Sequence, residues 1–147
     1  MKVENIMASP VIVANENQTL QEVATTMMKN RIGGLPVVND EGDIVGFLSE
    51  TDFTAKKESI PFSRNEAPQL FGKWVNKDEI DKMYDEAKKV KVKEIMSERV
   101  IYVKPDDTIE ELINKIIEHN YHRFPVVKDG KPVGMVSRRD LLKLIID

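Results

Sequence analysis

The chain repeats itself. The segment VENIMASPVIV, beginning at Val3, returns as VKEIMSERVIYV from Val92, and TLQEVATTMMKNRIGGLPVVNDEGDIVGFLSETDF returns as TIEELINKIIEHNYHRFPVVKDGKPVGMVSRRDLL. The register holds from Val3/Val92 through Thr19/Thr108 to Pro36/Pro125, slips by one in a turn, and resumes at Gly46/Gly134, Ser49/Ser137 and Asp52/Asp140. A duplication requires that one folding rule serve both halves. A unit of about fifty residues buries too little apolar surface by itself, so the two units are expected to pack on each other around a pseudo-twofold axis. The expected organisation is repeat 1 over residues 1–55, an insertion over 56–91 and repeat 2 over 92–147.

Within each unit, period and punctuation predict β-α-β-β-α. The short β-branched runs Val11–Val13 and Val100–Val103 read as strands. Thr19-x-x-Glu22 and Thr108-x-x-Glu111 are capping boxes, each opening a helix. Leu20, Val23, Ala24, Met27 and Met28, and likewise Ile109, Leu112, Ile113, Ile116 and Ile117, form an apolar stripe at helical spacing. Leu35–Val38 with Ile44–Leu48, and Phe124–Val127 with Pro132–Val136, read as hairpins, the second turning at Asp129-Gly130. A closing helix is expected from Ser49 and from Ser137, with Leu141, Leu142, Leu144, Ile145 and Ile146 on the apolar face of the second.

The insertion, Lys56 to Lys91, has no counterpart in the repeat. Its first part, Glu58–Trp74, carries Pro61, Pro68 and Gly72 and reads as irregular, with Leu70, Phe71 and Trp74 as an apolar cluster. Asn76 then caps an amphipathic helix bearing Ile80, Met83, Tyr84 and Ala87 on one face. It serves either as packing on its own module or as a lid or dimer contact.

Composition excludes several classes. With no cysteine among the 147 residues there is no disulfide framework, thiolate nucleophile or Cys-based metal site, and a cytoplasmic location is expected. The start lacks a signal-peptide core, and no apolar run approaches the ~18 residues of a membrane span. A net charge of −3 supplies no overall basic field for nucleic acid. The only histidines, His119 and His122, both lie in the second copy, so a duplicated Ser-His-Asp site has no basis, and no third His or Cys stands near them to hold a metal. The acid pairs Asp106/Asp107 and Glu110/Glu111 read as a solvated helix start. No catalytic residue, metal or catalytic cofactor is expected.

The chemistry is concentrated in GFLSETD and GMVSRRD, Gly46–Asp52 and Gly134–Asp140. Each is a strand followed by S-x-x-D at a helix start. A hydroxyl, a carboxylate and free first-turn amides facing one cleft suit a nucleotide, the carboxylate accepting ribose hydroxyls and the amides a phosphate. The same pattern is also a capping box, contributing about 1 kcal/mol to a helix without any ligand. Arg138 and Arg139 oppose the dipole of a bare helix and make sense if a phosphate arrives; copy one has Glu50 there.

The duplicated Ile-Met, the hydrophobic-Pro-Val-Val hairpin and the G-h-h-S-x-x-D junction together resemble a pair of CBS (cystathionine β-synthase) domains, the Bateman module, over nearly everything except the insertion. The resemblance implies adenosine-containing ligands (AMP, ADP, ATP or S-adenosylmethionine) in two composite clefts, and commonly disc-like dimers. One cleft would join Asp140, Ser137, Arg138 and Arg139 to Ala8, Ile12, Ile32, Gly33, Gly34 and Pro36. The other would join Asp52, Ser49 and Thr51 to Ser97, Ile101, Tyr121, His122, Arg123 and Pro125. Aliphatic side chains would sandwich adenine. Glu50 would repel an anion in the second cleft while His122 and Arg123 attract one, so the Asp140 cleft is expected to be the stronger polyphosphate site and the Asp52 cleft is left to AMP or an adenosyl group. Gly33 and Gly34 serve either ligand access or a tight turn.

The expectation is therefore a regulatory nucleotide sensor that shifts the orientation of its repeats and is read by a homodimer or by a separate effector protein. A ligand-free structural or protein-interaction module is the competing reading. Nucleic-acid binding through Arg123, Arg138, Arg139 and nearby lysines is a third.

Overall fold

The structure, a computed structural model, describes residues 1–59 and 61–146. Both capping boxes form. Thr19 and Thr108 accept from the amides of Glu22 (3.2 Å) and Glu111 (3.1 Å), whose carboxylates accept in return from the threonine amides. They open α1 (Leu20–Asn30) and a second helix of the same length, Ile109–His119. Each helix ends on a left-handed residue, Arg31 and Asn120.

In repeat 1, β1 (Ala14–Asn15) runs parallel to β2 (Gly34–Val38), which pairs antiparallel with β3 (Ile44–Ser49). The expected strand at Val11–Val13 is thus displaced to Ala14–Asn15. In repeat 2 the run Val100–Val103 is reduced to a single parallel bridge, Val103 to Val126. Proline explains both. The Val103 amide donates to the Pro125 carbonyl (3.1 Å) and the Val127 amide to the Val103 carbonyl (2.9 Å), so the next rung would need a hydrogen on the Pro125 nitrogen, which has none. Pro36 stands at the matching place beside β1. The chain therefore peels off the sheet before each proline.

The insertion differs from expectation. Its first part, read as irregular, forms an antiparallel sheet of β4 (Lys56–Ser59), β5 (Glu66–Leu70) and β6 (Lys73–Trp74). Lys57 faces Pro68 and Glu58 faces Ala67, so the strands carry no apolar alternation by which to announce themselves. Phe71 and Gly72, both at positive φ, make the tight turn between β5 and β6. Asn76 caps a 3₁₀ turn, Lys77–Glu79, through the Asp78 amide, and α2 (Ile80–Ala87) follows. Leu70 is buried and Phe71 meets Phe53 and Tyr84 edge-on, whereas Trp74 is exposed. Repeat 2 then supplies α3, the helix Ile109–His119, and the hairpin β7 (Arg123–Lys128) and β8 (Lys131–Ser137), turning on Asp129 and Gly130 at φ 53° and 78°.

The closing α-helices are replaced by 3₁₀ segments, Glu50–Phe53 and Arg138–Leu144. In copy one, Thr54 turns extended and its hydroxyl bonds back to the Thr51 carbonyl (2.9 Å), a local alternative to the helical ladder. In copy two, Leu142, Ile145 and Ile146 are exposed, and short helices take most of their stability from packing of an apolar face, which these residues lack within one chain.

The copies exchange their leading arms. Val3 and Ile6 sit in the core of repeat 2 with Val103, Leu112, Phe124, Val126 and Val136, and Val92 sits in that of repeat 1 with Leu20, Val23, Leu35 and Leu48. Ala8 pairs with Met135 and Ser97 with Phe47. A Cβ on Gly134 would stand 2.9 Å from the Ala8 carbonyl oxygen, and one on Gly46 would stand 2.9 Å from that of Ser97, so these glycines make room for the arms. The exchange is reciprocal, as a twofold relation requires. At the hairpin turns Lys131 donates to the Glu41 carbonyl (2.6 Å) and pairs with Asp43 (3.1 Å), tying the copies together away from the Ser–Asp corners.

Candidate functional site

Each Ser–Asp corner begins where a hairpin strand ends. The Ser49 amide donates to Asp52 Oδ2 (2.9 Å) and the Ser137 amide to Asp140 Oδ2 (2.8 Å). The amides one residue on are also occupied, Glu50 donating to the Gly33 carbonyl (2.9 Å) and Arg138 to that of His122 (3.0 Å). Two of the backbone donors at each corner are thus used within the chain, and the segments that follow are short 3₁₀ turns.

A cavity of about 390 Å³ opens between the copies on the Asp52 side. It is lined by Ser49, Thr51 and Asp52 from repeat 1 and by Ser97, Ile101, Tyr121, His122, Arg123 and Pro125 from repeat 2, which is every residue assigned to that cleft from the sequence. Phe47, Glu50, Lys56, Arg99, Val100 and Asn120 complete the lining. Because the chain leaves the sheet before Pro125, Val100 and Ile101 form part of the wall. Lys56, Arg99, His122 and Arg123 set basic groups against the acids Glu50 and Asp52.

Asp52 is 8% exposed and both its oxygens are engaged, Oδ2 by its own corner and Oδ1 by Lys56 Nζ at 2.7 Å. Ser49 Oγ lies 2.7 Å from Thr51 Oγ1. The carboxylate caps its own backbone and also faces a shared, open groove, so the capping and binding readings are compatible.

The Asp140 residues are arranged differently. Asp140 Oδ1 pairs with Lys143 (3.0 Å), whose ammonium also donates to the Ile6 carbonyl (2.8 Å), and Oδ2 accepts from Ser137 Oγ (3.2 Å). Arg138 donates to Asn120 Oδ1 (3.1 Å), while Arg139 is exposed. Ala8 reaches this region by pairing with Met135; Ile12 is partly exposed, Ile32 packs against the repeat 1 core and Pro36 is fully buried in β2. Gly33 and Gly34 are not at positive φ, so no tight turn needs them. They accommodate Arg123: a Cβ on Gly33 would lie 2.8 Å from its guanidinium, and one on Gly34 would lie 2.9 Å from the Phe47 ring. Arg123 thus bridges from the Asp52 cavity to the backbone of the opposite copy.

Among the described residues no cluster of His, Cys, Asp and Glu is arranged to hold a metal, and no helix is long and apolar enough to cross a membrane.

A duplicated β-α-β-β unit with exchanged arms and paired Ser–Asp corners defines a tandem CBS module. The family profile described as CBS domain matches residues 3–58 and 92–147, and the chain belongs to that family. It is 32% identical to protein MJ1426 of Methanocaldococcus jannaschii, over 99% of this chain and 92% of that protein. It spans only 42% and 32% of two longer proteins of the same organism. The CBS domain of a CBS domain-containing membrane protein from Sphaerobacter thermophilus shares the fold at TM-score 0.72 and 34% identity, covering 98% of this chain and 87% of that one. The CBS domain pair of protein MJ0100, solved in complex with 5′-methylthioadenosine and S-adenosyl-L-methionine, gives TM-score 0.70 at 25% identity, covering 99% and 95%.

Proposed function

We propose that the chain is a regulatory module that binds an adenosine-containing ligand in the Asp52 cleft and responds through the relative orientation of its two repeats. The observation that carries this reading is the open cavity between the copies, in which a buried carboxylate from one repeat faces an aliphatic and basic wall from the other. Ile101, Val100 and Pro125 suit an adenine face, Asp52 suits ribose hydroxyls, and Arg99, His122 and Arg123 suit phosphate. The complex of MJ0100 with two adenosyl compounds supports the ligand class. Because the lining comes from both copies, a bound ligand favours one arrangement of them, typically by ~1 to 3 kcal/mol.

The cleft is read as a binding site. Ser49 pairs with the Thr51 hydroxyl, and no hydrogen bond among the described residues joins it to His122. The output passes to a homodimer partner or a separate effector protein. Ile113, Ile117, Leu142, Ile145 and Ile146 leave apolar surface on repeat 2 that a second copy would bury. Calorimetric titration with AMP, ATP and S-adenosylmethionine tests the binding: saturable heat with at least one is expected, and none with any of them favours the ligand-free interaction reading. Sedimentation with and without that ligand tests the dimer.

A further inference from the structure

The two corners differ in how their lysines are held. Lys143 lies on the same 3₁₀ segment as Asp140 and is fastened by a second bond, to the Ile6 carbonyl at 2.8 Å. Lys56 lies beyond the 3₁₀ segment that carries Asp52, at the first position of β4, and its ammonium bonds only to Asp52 Oδ1, at 2.7 Å, among the described residues. It is half exposed, it lines the cavity, and it occupies the one carboxylate oxygen that the Ser49 amide leaves available.

We propose that Lys56 is an exchangeable counter-ion that makes the Asp52 cleft selective for phosphorylated adenosine over uncharged adenosine. This deepens the reading given above and rests on it. In the empty cleft Lys56 neutralises Asp52. A ribose needs Oδ1 and must displace the ammonium, which costs a charge-assisted bond. A ligand with a phosphate restores that cost by pairing with the released ammonium, beside Arg99 and Arg123; adenosine offers nothing in return. Glu50 on the same wall repels the phosphate, so without Lys56 the corner carries two anions, Glu50 and Asp52, and discriminates against a nucleotide.

The two ligand types therefore respond in opposite directions to loss of this one amine. Titration of the full chain with AMP and, separately, with adenosine is expected to show Lys56→Met weakening AMP about tenfold while tightening adenosine about threefold. Lys56→Gln carries the same expectation, and Lys56→Arg is expected to keep AMP within about threefold of the unaltered chain. Circular dichroism confirms that each variant is folded. Changes of the same sign for both ligands, or no change in either, overturn the counter-ion role while leaving the binding site standing. Failure of the unaltered chain to bind either compound overturns the binding site itself, and this inference with it.

Discussion

The Ser–Asp corners of the two repeats come from the same sequence pattern and make the same backbone cap, yet they meet different surroundings. The Asp52 corner opens on a cavity walled by the other copy, and its counter-ion is a lysine at the start of β4 held by one bond. The Asp140 corner has its lysine fastened to the chain's leading arm and one arginine committed to Asn120. Duplication thus supplied two equivalent scaffolds, and residues that differ between the copies, Lys56 against Leu144 and Ala55 against Lys143, made them unequal. An S-x-x-D pattern alone does not distinguish a helix cap from a ligand corner, because the same carboxylate does both; what lies across the groove decides.

Substitutions at matched positions show where the copies are alike and where they part. The largest effects are expected in the cores. Phe124 and Leu35 occupy equivalent places, both fully buried. Phe124→Ala should cost about 3–5 kcal/mol and Leu35→Ala about 2–5 kcal/mol in urea denaturation. Because the arms are exchanged, either change should lower a single shared transition, and two separated transitions would show that the repeats fold independently. Next come the strand glycines. Gly46→Ala and Gly134→Ala each push a methyl to within 2.9 Å of an arm carbonyl and should each cost about 1–3 kcal/mol by thermal melting. A harmless change at one position alone would mean that its arm is not packed as described.

Smaller again is the cap. Asp140→Ala should cost about 1 kcal/mol and leave the fold intact by circular dichroism, since it removes the acceptor for the Ser137 amide. The smallest effect is expected at the lysines: Lys143→Ala should lower stability by less than about 1 kcal/mol, as half-exposed ion pairs do, and by more than Lys56→Ala, because Lys143 alone holds the leading arm as well. Equal losses would remove that distinction between the corners.

Much of this was legible beforehand. The capping threonines and the Asp129-Gly130 turn carry local chemistry that tertiary context does not override, and the residues that the resemblance to CBS domain pairs implies for the Asp52 cleft all line one cavity. Other features were not legible, for identifiable reasons. Arg99 aligns with Pro10 and Lys56 with Leu144, neither of them basic, so a search for basic groups guided by the repeat passes over both. The insertion strands pair charged residues with small or polar ones and show no period. The peeling of Val11–Val13 from the sheet depends on Pro36, a residue distant in the chain but next to it in the ladder. The second closing helix was expected to carry an apolar face, of which Leu141 packs on the repeat 2 core while Leu142, Leu144, Ile145 and Ile146 stay exposed in one chain.

The central claim is that the Asp52 corner, facing the other copy, holds the sugar of an adenosine ligand. Calorimetric titration of AMP into the unaltered chain, Asp52→Ala and Asp140→Ala addresses it directly. The account predicts saturable binding to the unaltered chain, at least tenfold weaker binding to a folded Asp52→Ala, and a smaller change for Asp140→Ala. Undiminished affinity in a folded Asp52→Ala chain would contradict it.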